Sequence, residues 1–393
     1  MRIYLMLIAL SLCISCEPFA LTADDIADDQ PRFISEKLSE VEAEPKQLRV
    51  MAWNIKYGAM RLPFWFDCWG DQVSIPATQV EANMENIYAM IREADPDILL
   101  VEEIELHSRR SAYYDMIQGI LDHSELNYGA YYETWNSRYI PSEGLGRMSL
   151  GNAIFSKYPI TKSEKIMQAD RRDLDPVTKP FYLHRAIGRA EIQVSPAQSV
   201  AAYVVHTAAY DQDATETEEG TKVKQIKQIY EVISSENLPF ILGGDFNELP
   251  PNAAKISNFP DERTSPVCGE DFEQPPYTPE IMSPFYEALT PWISLERYGV
   301  SEPEQKRYYT HSVLGDGEYN EAGEPITWNR TLDYLFASSD TNWLFGSTDV
   351  LQYKDQQVGE PDENGQYLLD WTLKNDPFNL SDHAPVFGVW ELN

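Results

Sequence analysis

The chain is poor in cysteine and in positive charge, and both shortages narrow its chemistry. It has four cysteines in 393 residues. Two fall in the first sixteen positions, leaving Cys68 and Cys268 beyond them. There are six histidines, no His-Glu-x-x-His and, past the leader, no Cys-x-x-Cys, so a zinc cage lacks its usual ligand spacing. The remaining cysteine pair is compatible with one disulfide or with two buried thiols. Basic residues number 31 against 63 acidic ones, a net charge of −32. Such a field repels nucleic-acid backbones and anionic membranes at long range. It argues against a stable nucleic-acid complex but leaves room for a site that handles phosphate through a bound cation. No internal repeat is visible. The composition, 43% hydrophobic and 24% charged, is that of a globular protein with ample material for a core.

The N-terminus reads as a targeting segment. Arg2 precedes the apolar run Ile3–Leu12, too short to span a bilayer. Leu12-Cys13-Ile14-Ser15-Cys16 then resembles a bacterial lipobox, with Cys13 where Leu is usual. This implies residues 1–16 as a signal peptide ending at Cys16, lipidation of Cys16, and export to the periplasmic or cell-surface side as a membrane-anchored monomer. The alternative is an ordinary cleaved leader and a secreted soluble protein. Residues 17–47, rich in Asp, Glu, Ala and Pro, read as a flexible acidic tether, with a short helix possible over Phe33–Glu44.

From Leu48 to the end the texture is that of one folded domain, 48–393. Buried strands are expected at Leu48–Trp53, Asp97–Val101, Gly151–Phe155, Ala186–Val194, Val200–Val205, Phe240–Gly243, Leu332–Ala337 and Pro385–Trp390. Helices are expected over Thr78–Glu93, opened by a Thr78/Glu81 capping box, and over Thr221–Ser234. Early alternation and later strand-rich sequence predict an α/β sandwich with mixed sheets. Residues 251–326, rich in Pro, Tyr and Glu, read as an irregular insertion near the active face.

Chemistry-bearing residues recur at strand ends. Asn54, Glu103, His206, Asp245 and Asn247 follow apolar runs, whereas Asp333, Asp382 and His383 precede them. If the last strands run antiparallel to the earlier ones, all eight meet at one edge. Carboxylates and amides are hard ligands suited to Mg²⁺ or Mn²⁺. A cation with imidazole and amide donors can orient water and stabilise a phosphoryl transition state. Any one of these residues alone reads as a turn, a solvated strand end or a core histidine; their joint placement is the signal.

Several segments resemble a known superfamily. They are Met51-Ala52-Trp53-Asn54-Ile55, Asp97-Ile98-Leu99-Leu100-Val101-Glu102-Glu103, Gly151–Ile160, Gly244-Asp245-Phe246-Asn247, Arg330–Phe336 and Leu380–Val386. Their order is similar to that of the endonuclease/exonuclease/phosphatase superfamily, over roughly residues 48–393. The resemblance implies a four-layer α/β sandwich with two packed mixed β-sheets flanked by helices. It also implies a metal-dependent hydrolase that cleaves a phosphoester by in-line attack of an activated water.

By the same resemblance Glu103 is the main metal ligand, helped by Asn54 and Asp382. Asp245 orients or deprotonates the water, Asn247 binds phosphate, and His383 paired with Asp333 contacts it. His206 stabilises the pentacovalent phosphorus, although Val205-His206-Thr207 departs from the usual Thr-His-Leu. Either Asp245 or His383 is the general base. Lys56 stands where abasic-site endonucleases carry an Asp, which speaks against that repair activity; it either reaches a substrate phosphate or lies at the surface, and the surface is the expectation. The aromatic segment Pro63–Gly70 is either a wall for a lipid or nucleobase or a plug at the sandwich edge. The rival to an enzyme is a catalytically inactive, membrane-anchored lipoprotein that binds a partner with the same fold.

Overall fold

The structure, a computed structural model, describes residues 25–27, 32–65, 70–140, 144–176, 178–209, 213–215, 217–259, 276–313 and 327–392. The signal segment with Cys16, residues 66–69 of the aromatic segment, both Cys68 and Cys268, and much of the insertion lie outside these residues.

In chain order the strands begin with β1 (Ile26–Ala27), β2 (Arg32–Ile34), β3 (Gln47–Asn54), β4 (Ile98–Glu105) and β5 (Tyr128–Ile140). They continue with β6 (Gly146–Ser156), β7 (Ile160–Met167), β8 (Ala186–Ser195), β9 (Gln198–His206) and β10 (Phe240–Asp245). The last five are β11 (Thr290–Pro291), β12 (Asp333–Ala337), β13 (Asn342–Trp343), β14 (Asp349–Val350) and β15 (Val386–Glu391). One sheet has the order β13-β15-β3-β4-β6-β5-β2, with β14 beside β15; the other runs β1-β7-β8-β9-β10-β12-β11. Both mix parallel and antiparallel pairs.

The layers follow from side-chain alternation along each strand. On β3, Leu48, Val50 and Ala52 face the second sheet and meet Ala202, Val204, Ile241 and Leu335. Met51 and Trp53 point the other way, under the helices Ala77–Ala94 and Met116–Asp122, where Met84, Ile87, Ile91 and Ile117 pack on them. Helices Thr221–Ile233 and Ser283–Ala288 cover the second sheet through Ile226, Ile229 and Phe285. Two packed mixed sheets between helices make the α/β sandwich expected above. Strands buried on both faces need continuous apolar runs, which is why those runs were visible.

Three expectations are corrected. Part of the tether is integral to the sheets, since Ile26–Ala27 pairs with β7 and Arg32–Ile34 with β5. Short edge strands are held by backbone pairing and need no apolar run. The stretch Phe33–Glu44 therefore starts in a strand and contains no helix. The capping box is also absent. The amides of Gln79 and Val80 donate to the Pro76 carbonyl at 2.9 and 3.0 Å, so the first turn starts before Thr78 and Thr78 lies inside it. Strands β5 and β7 were missed because their sequences, YGAYYETWNSRYI and ITKSEKIM, mix polar and apolar residues.

Candidate active site

Register places the site. The ends of β9 and β10 run parallel, and β10 runs antiparallel to β12, so His206, Asp245 and Asp333 lie opposite one another across three strands. Cross-strand neighbours of this kind have Cβ atoms about 5 Å apart. In the facing sheet β3 and β4 are parallel, with Asn54 opposite Glu102. β15 is antiparallel to β3, which brings the residues just before it, Asp382 and His383, to the same edge. The antiparallel arrangement of the last strands that the argument required is present.

Local backbone devices then aim individual side chains. The β4–β6 register shifts between Val101 and Ile104, and Glu103 adopts φ +53°, a left-handed conformation that re-aims its side chain. Gly244, at φ +130°, sits where a Cβ would lie 2.1 Å from the Val205 carbonyl oxygen, so the close approach of β9 and β10 requires glycine there. Asn247, at φ +48°, donates its backbone N–H to Asp245 Oδ1 at 2.8 Å.

The side chains converge. Asn54 Nδ2 donates to Glu103 Oε1 (3.1 Å) and Asp245 Oδ2 (3.3 Å). His206 Nε2 is 3.4 Å from the same Asp245 oxygen and 3.9 Å from the same Glu103 oxygen. His383 Nδ1 donates to Asp333 Oδ2 at 2.9 Å, and its Nε2 is 3.6 Å from Asp245 Oδ2. Asp245, Asp333 and His383 form a buried cluster whose ligand atoms all lie within 4.8 Å. Asn247 is at the rim of this group, its amide donating to the Thr207 carbonyl at 3.1 Å while Lys222 Nζ holds its own carbonyl at 3.1 Å.

Electrostatics divide these groups. Burial raises the Asp245 carboxyl, and Asp333 adds to the rise against the pull of His383, leaving it at about 7. Burial disfavours charge on His383, but Asp333 and Asp245 outweigh it and push the ring up to about 10. His206 goes the other way: burial, then Arg185 and His383, keep it well below the usual imidazole range. It is a neutral ring, and its contacts with the acids are dipolar. Glu102 is fully buried with neither carboxylate oxygen hydrogen-bonded among the described residues. Burial, with Asp333 and Asp245, pushes it well up, so it sits under the site as a neutral acid.

Lys56 is not at the surface. It is 3% exposed, in a left-handed turn at φ +43°, and its Nζ lies 3.0 Å from Asp382 Oδ2. The turn after β3 folds back because Asn54 Oδ1 accepts the Lys56 N–H at 3.0 Å. Burial would raise the Asp382 carboxyl, but Lys56, His383 and Arg61 hold it below the ordinary range. Asp382 is thereby engaged by an ammonium at the position expected to help a metal. Phe64 is fully buried, edge-on to Tyr57 with centroids 5.1 Å apart, while Trp65 is half-exposed.

Two residues of this neighbourhood were missed. Arg185 precedes β8, whose Ala186 lies at the edge where β9 ends, and its charge acts on Glu103 and Asp245. The rule that found Asp333 and Asp382, a polar residue just before a strand, applies to it equally. His311 lies in the irregular insertion, its Nδ1 3.0 Å from His383 Nε2. No sequence signal marks it.

Residues 51–383 match the profile of the Endonuclease/Exonuclease/phosphatase family. The chain belongs to that family. Solved structures similar to this chain include an endonuclease/exonuclease/phosphatase from Beutenbergia cavernae, 16% identical, covering 89% of this chain and 72% of its own, at a TM-score of 0.48. A family protein from Leptotrichia buccalis is 13% identical, with 88% and 100% coverage and a TM-score of 0.46. The human Nocturnin catalytic domain with bound sulfate is 16% identical, with 93% and 98% coverage and a TM-score of 0.44. No curated protein matches the chain.

Proposed function

We propose that this family member hydrolyses a phosphoester, using a divalent cation and a water that attacks phosphorus in line. The observation that carries the reading is the continuous contact from Glu103 through Asn54 and Asp245 to His383 and Asp333. The donor set suits a hard cation. Glu103 presents a carboxylate 25% exposed, beside the Asn54 amide and the Asp245 carboxylate. Glu103 and Asn54 would hold Mg²⁺ or Mn²⁺, and Asp382 would join them only by releasing Lys56. The ion, when bound, supplies charge stabilisation for the phosphoryl and leaving oxygens.

The chain's own groups account for the rest. Asp245, raised to about 7, is poised to orient a water and accept its proton near neutral pH. His383, kept charged by Asp333, offers a charge-assisted donor to a phosphate oxygen. His206, neutral, adds a second donor from the other side of Asp245. Asn247 would bind a phosphate oxygen by turning its amide from the Thr207 carbonyl. The acidic surface disfavours a stable nucleic-acid complex, so DNA, RNA, phospholipid headgroups and small phosphate esters are substrates to be compared. We further propose that the protein is exported and anchored to a membrane by a lipid on Cys16, as a monomer.

The test is a substrate panel on the purified full chain with Mg²⁺ or Mn²⁺. Turnover of at least one ester, abolished by EDTA and restored by the ion, is expected. Absence of metal-dependent turnover across nucleic acids, phospholipids, sugar phosphates and p-nitrophenyl esters would favour the inactive binding lipoprotein.

A further inference from the structure

His311 has no role in the reading above, yet it occupies the working face of His383. Its Nδ1 is 3.0 Å from His383 Nε2, and the two ring centroids are 4.4 Å apart. The ring is 8% exposed, so this is a packed contact between side chains.

The backbone makes the contact specific. The segment Thr310-His311-Ser312 is laced between the two motifs that supply Asp333 and His383. Thr310 and His311 donate their N–H groups to the Arg330 carbonyl at 2.8 and 2.9 Å, and Asn329 donates back to His311 at 3.0 Å. On the other side, Ala384 N donates to the Thr310 carbonyl at 2.6 Å and Ser312 N to the Asp382 carbonyl at 3.0 Å. Thr310 Oγ1 accepts the N–H groups of Leu332 and Asp333 at 2.9 and 3.2 Å. A part of the insertion is thus a backbone rung between the strand that carries Asp333 and the loop that carries His383.

Two imidazole nitrogens at this distance share one hydrogen. Whichever ring carries it, His383 Nε2 is engaged. Asp333 already takes Nδ1, so both nitrogens of His383 have partners before any substrate arrives. The geometry favours the hydrogen on His383, because two carboxylates flank that ring, Asp333 Oδ2 at 2.9 Å from Nδ1 and Asp245 Oδ2 at 3.6 Å from Nε2.

We infer that His311 is a positioning residue for the phosphoryl reaction: it fixes the direction of the His383 ring through Nε2 and competes with a phosphate oxygen for that nitrogen's hydrogen bond. This rests on the phosphoesterase reading for its catalytic half, while the competition half concerns phosphate binding alone. The two effects have opposite signs. Removing His311 frees Nε2 for an incoming oxygen but lets the ring turn, so binding improves and turnover falls.

The test uses the full chain in Mg²⁺ buffer, with inorganic phosphate as the binding probe and the best ester of the panel as substrate. His311→Ala is expected to lower the phosphate Kd about threefold, the lower end for one ordinary hydrogen bond, and to cut kcat about tenfold, near the lower end for one to a charged group. His311→Asn, whose amide can reach the Nδ1 position, should restore most of kcat and return Kd toward wild type. Nitrogen-15 spectra of the histidine rings should show the His383 Nε2 resonance moving in the Ala variant and on phosphate addition to wild type. Phosphate affinity unchanged or weaker in His311→Ala, or a His383 resonance indifferent to that substitution, overturns the inference. If the wild type turns over no ester, the phosphoesterase reading falls, and the phosphate titration with the ring spectra still decides whether His311 competes for His383.

Discussion

The two flanks of the site differ in the side chains they gather. On one, Glu103 and Asp245 meet at Asn54, with the neutral Glu102 beneath them and Arg185 the nearby cation. On the other, Lys56, Arg61 and Arg330 surround His311 and the Lys56–Asp382 pair. Arg61 is itself anchored, donating to the Phe378 carbonyl at 2.6 Å and to Ser312, with its guanidinium 3.9 Å from the Phe378 ring centroid. One flank is fitted to a cation and the other to an anion, and the 3.6 Å contact between Asp245 and His383 is the seam between them. A phosphoester bound through a metal needs both, side by side.

The largest effect should come from breaking the seam. Asp245→Asn keeps the shape but loses the proton acceptor, and kcat on the best ester should fall about 10³-fold, within the range for a general base. Circular dichroism should show the fold retained. A loss under tenfold would mean that the acid flank merely holds a cation and that another group takes the proton.

Next comes the anion flank. Lys56→Met leaves Asp382 buried without its ammonium, and removing one partner of a buried pair costs about 3–5 kcal/mol. Urea unfolding should show that loss in metal-free protein. Added Mg²⁺ should recover more stability in Lys56→Met than in wild type, because Asp382 is then released to a cation. Equal recovery in both would show that Asp382 belongs to the anion flank under all conditions.

What was legible in the chain follows from burial. Asn54, Glu103, His206, Asp245 and Asp333 stand beside strands buried on both faces, and the abrupt change from an apolar run to a polar residue is visible without coordinates. Lys56 was misjudged because its burial depends on a left-handed turn and on a partner more than three hundred residues away, neither encoded in its own neighbourhood. The strand bulge that re-aims Glu103 is equally invisible, since Val101-Glu102-Glu103-Ile104 has no glycine to announce it. Arg185 obeys the strand-edge pattern, yet a lone arginine before a strand reads as a solvated charge. His311 is further out of reach: its position is set by Arg330, Asp382 and Ala384, and the Pro- and Tyr-rich segment around it has no period. The edge strands from the acidic N-terminal stretch were missed for a related reason, being held by backbone pairing and a few scattered side chains such as Arg32 and Phe33 instead of an apolar run.

The smallest predicted effect tests the seam from its far side. The His383 pKa is raised from its ordinary 6.5 to about 10 in the folded protein. A raised value contributes stability that is fully present below the unfolded-state pKa and is lost as pH climbs through the folded one. Metal-free wild type should therefore weaken between pH 6.5 and 10, at a slope approaching about 1.4 kcal/mol per pH unit for one proton. Asp245, raised to about 7, adds loss of the same sign but mostly below that pH, and the buried Glu102 carboxyl, also pushed up, adds loss of the same sign, so the ring titration is what assigns the share of His383 between pH 7.5 and 8.5. Asp333→Asn removes the carboxylate that favours the imidazolium. Its His383 should titrate far lower, and its stability should change by about 1 kcal/mol less than wild type over that span. Urea midpoints at the two pH values, with the ring titration followed by NMR, measure both. If Asp333→Asn keeps the wild-type slope, the charge on His383 is held by Asp245 across the seam, and the separation of the two flanks fails at its closest point.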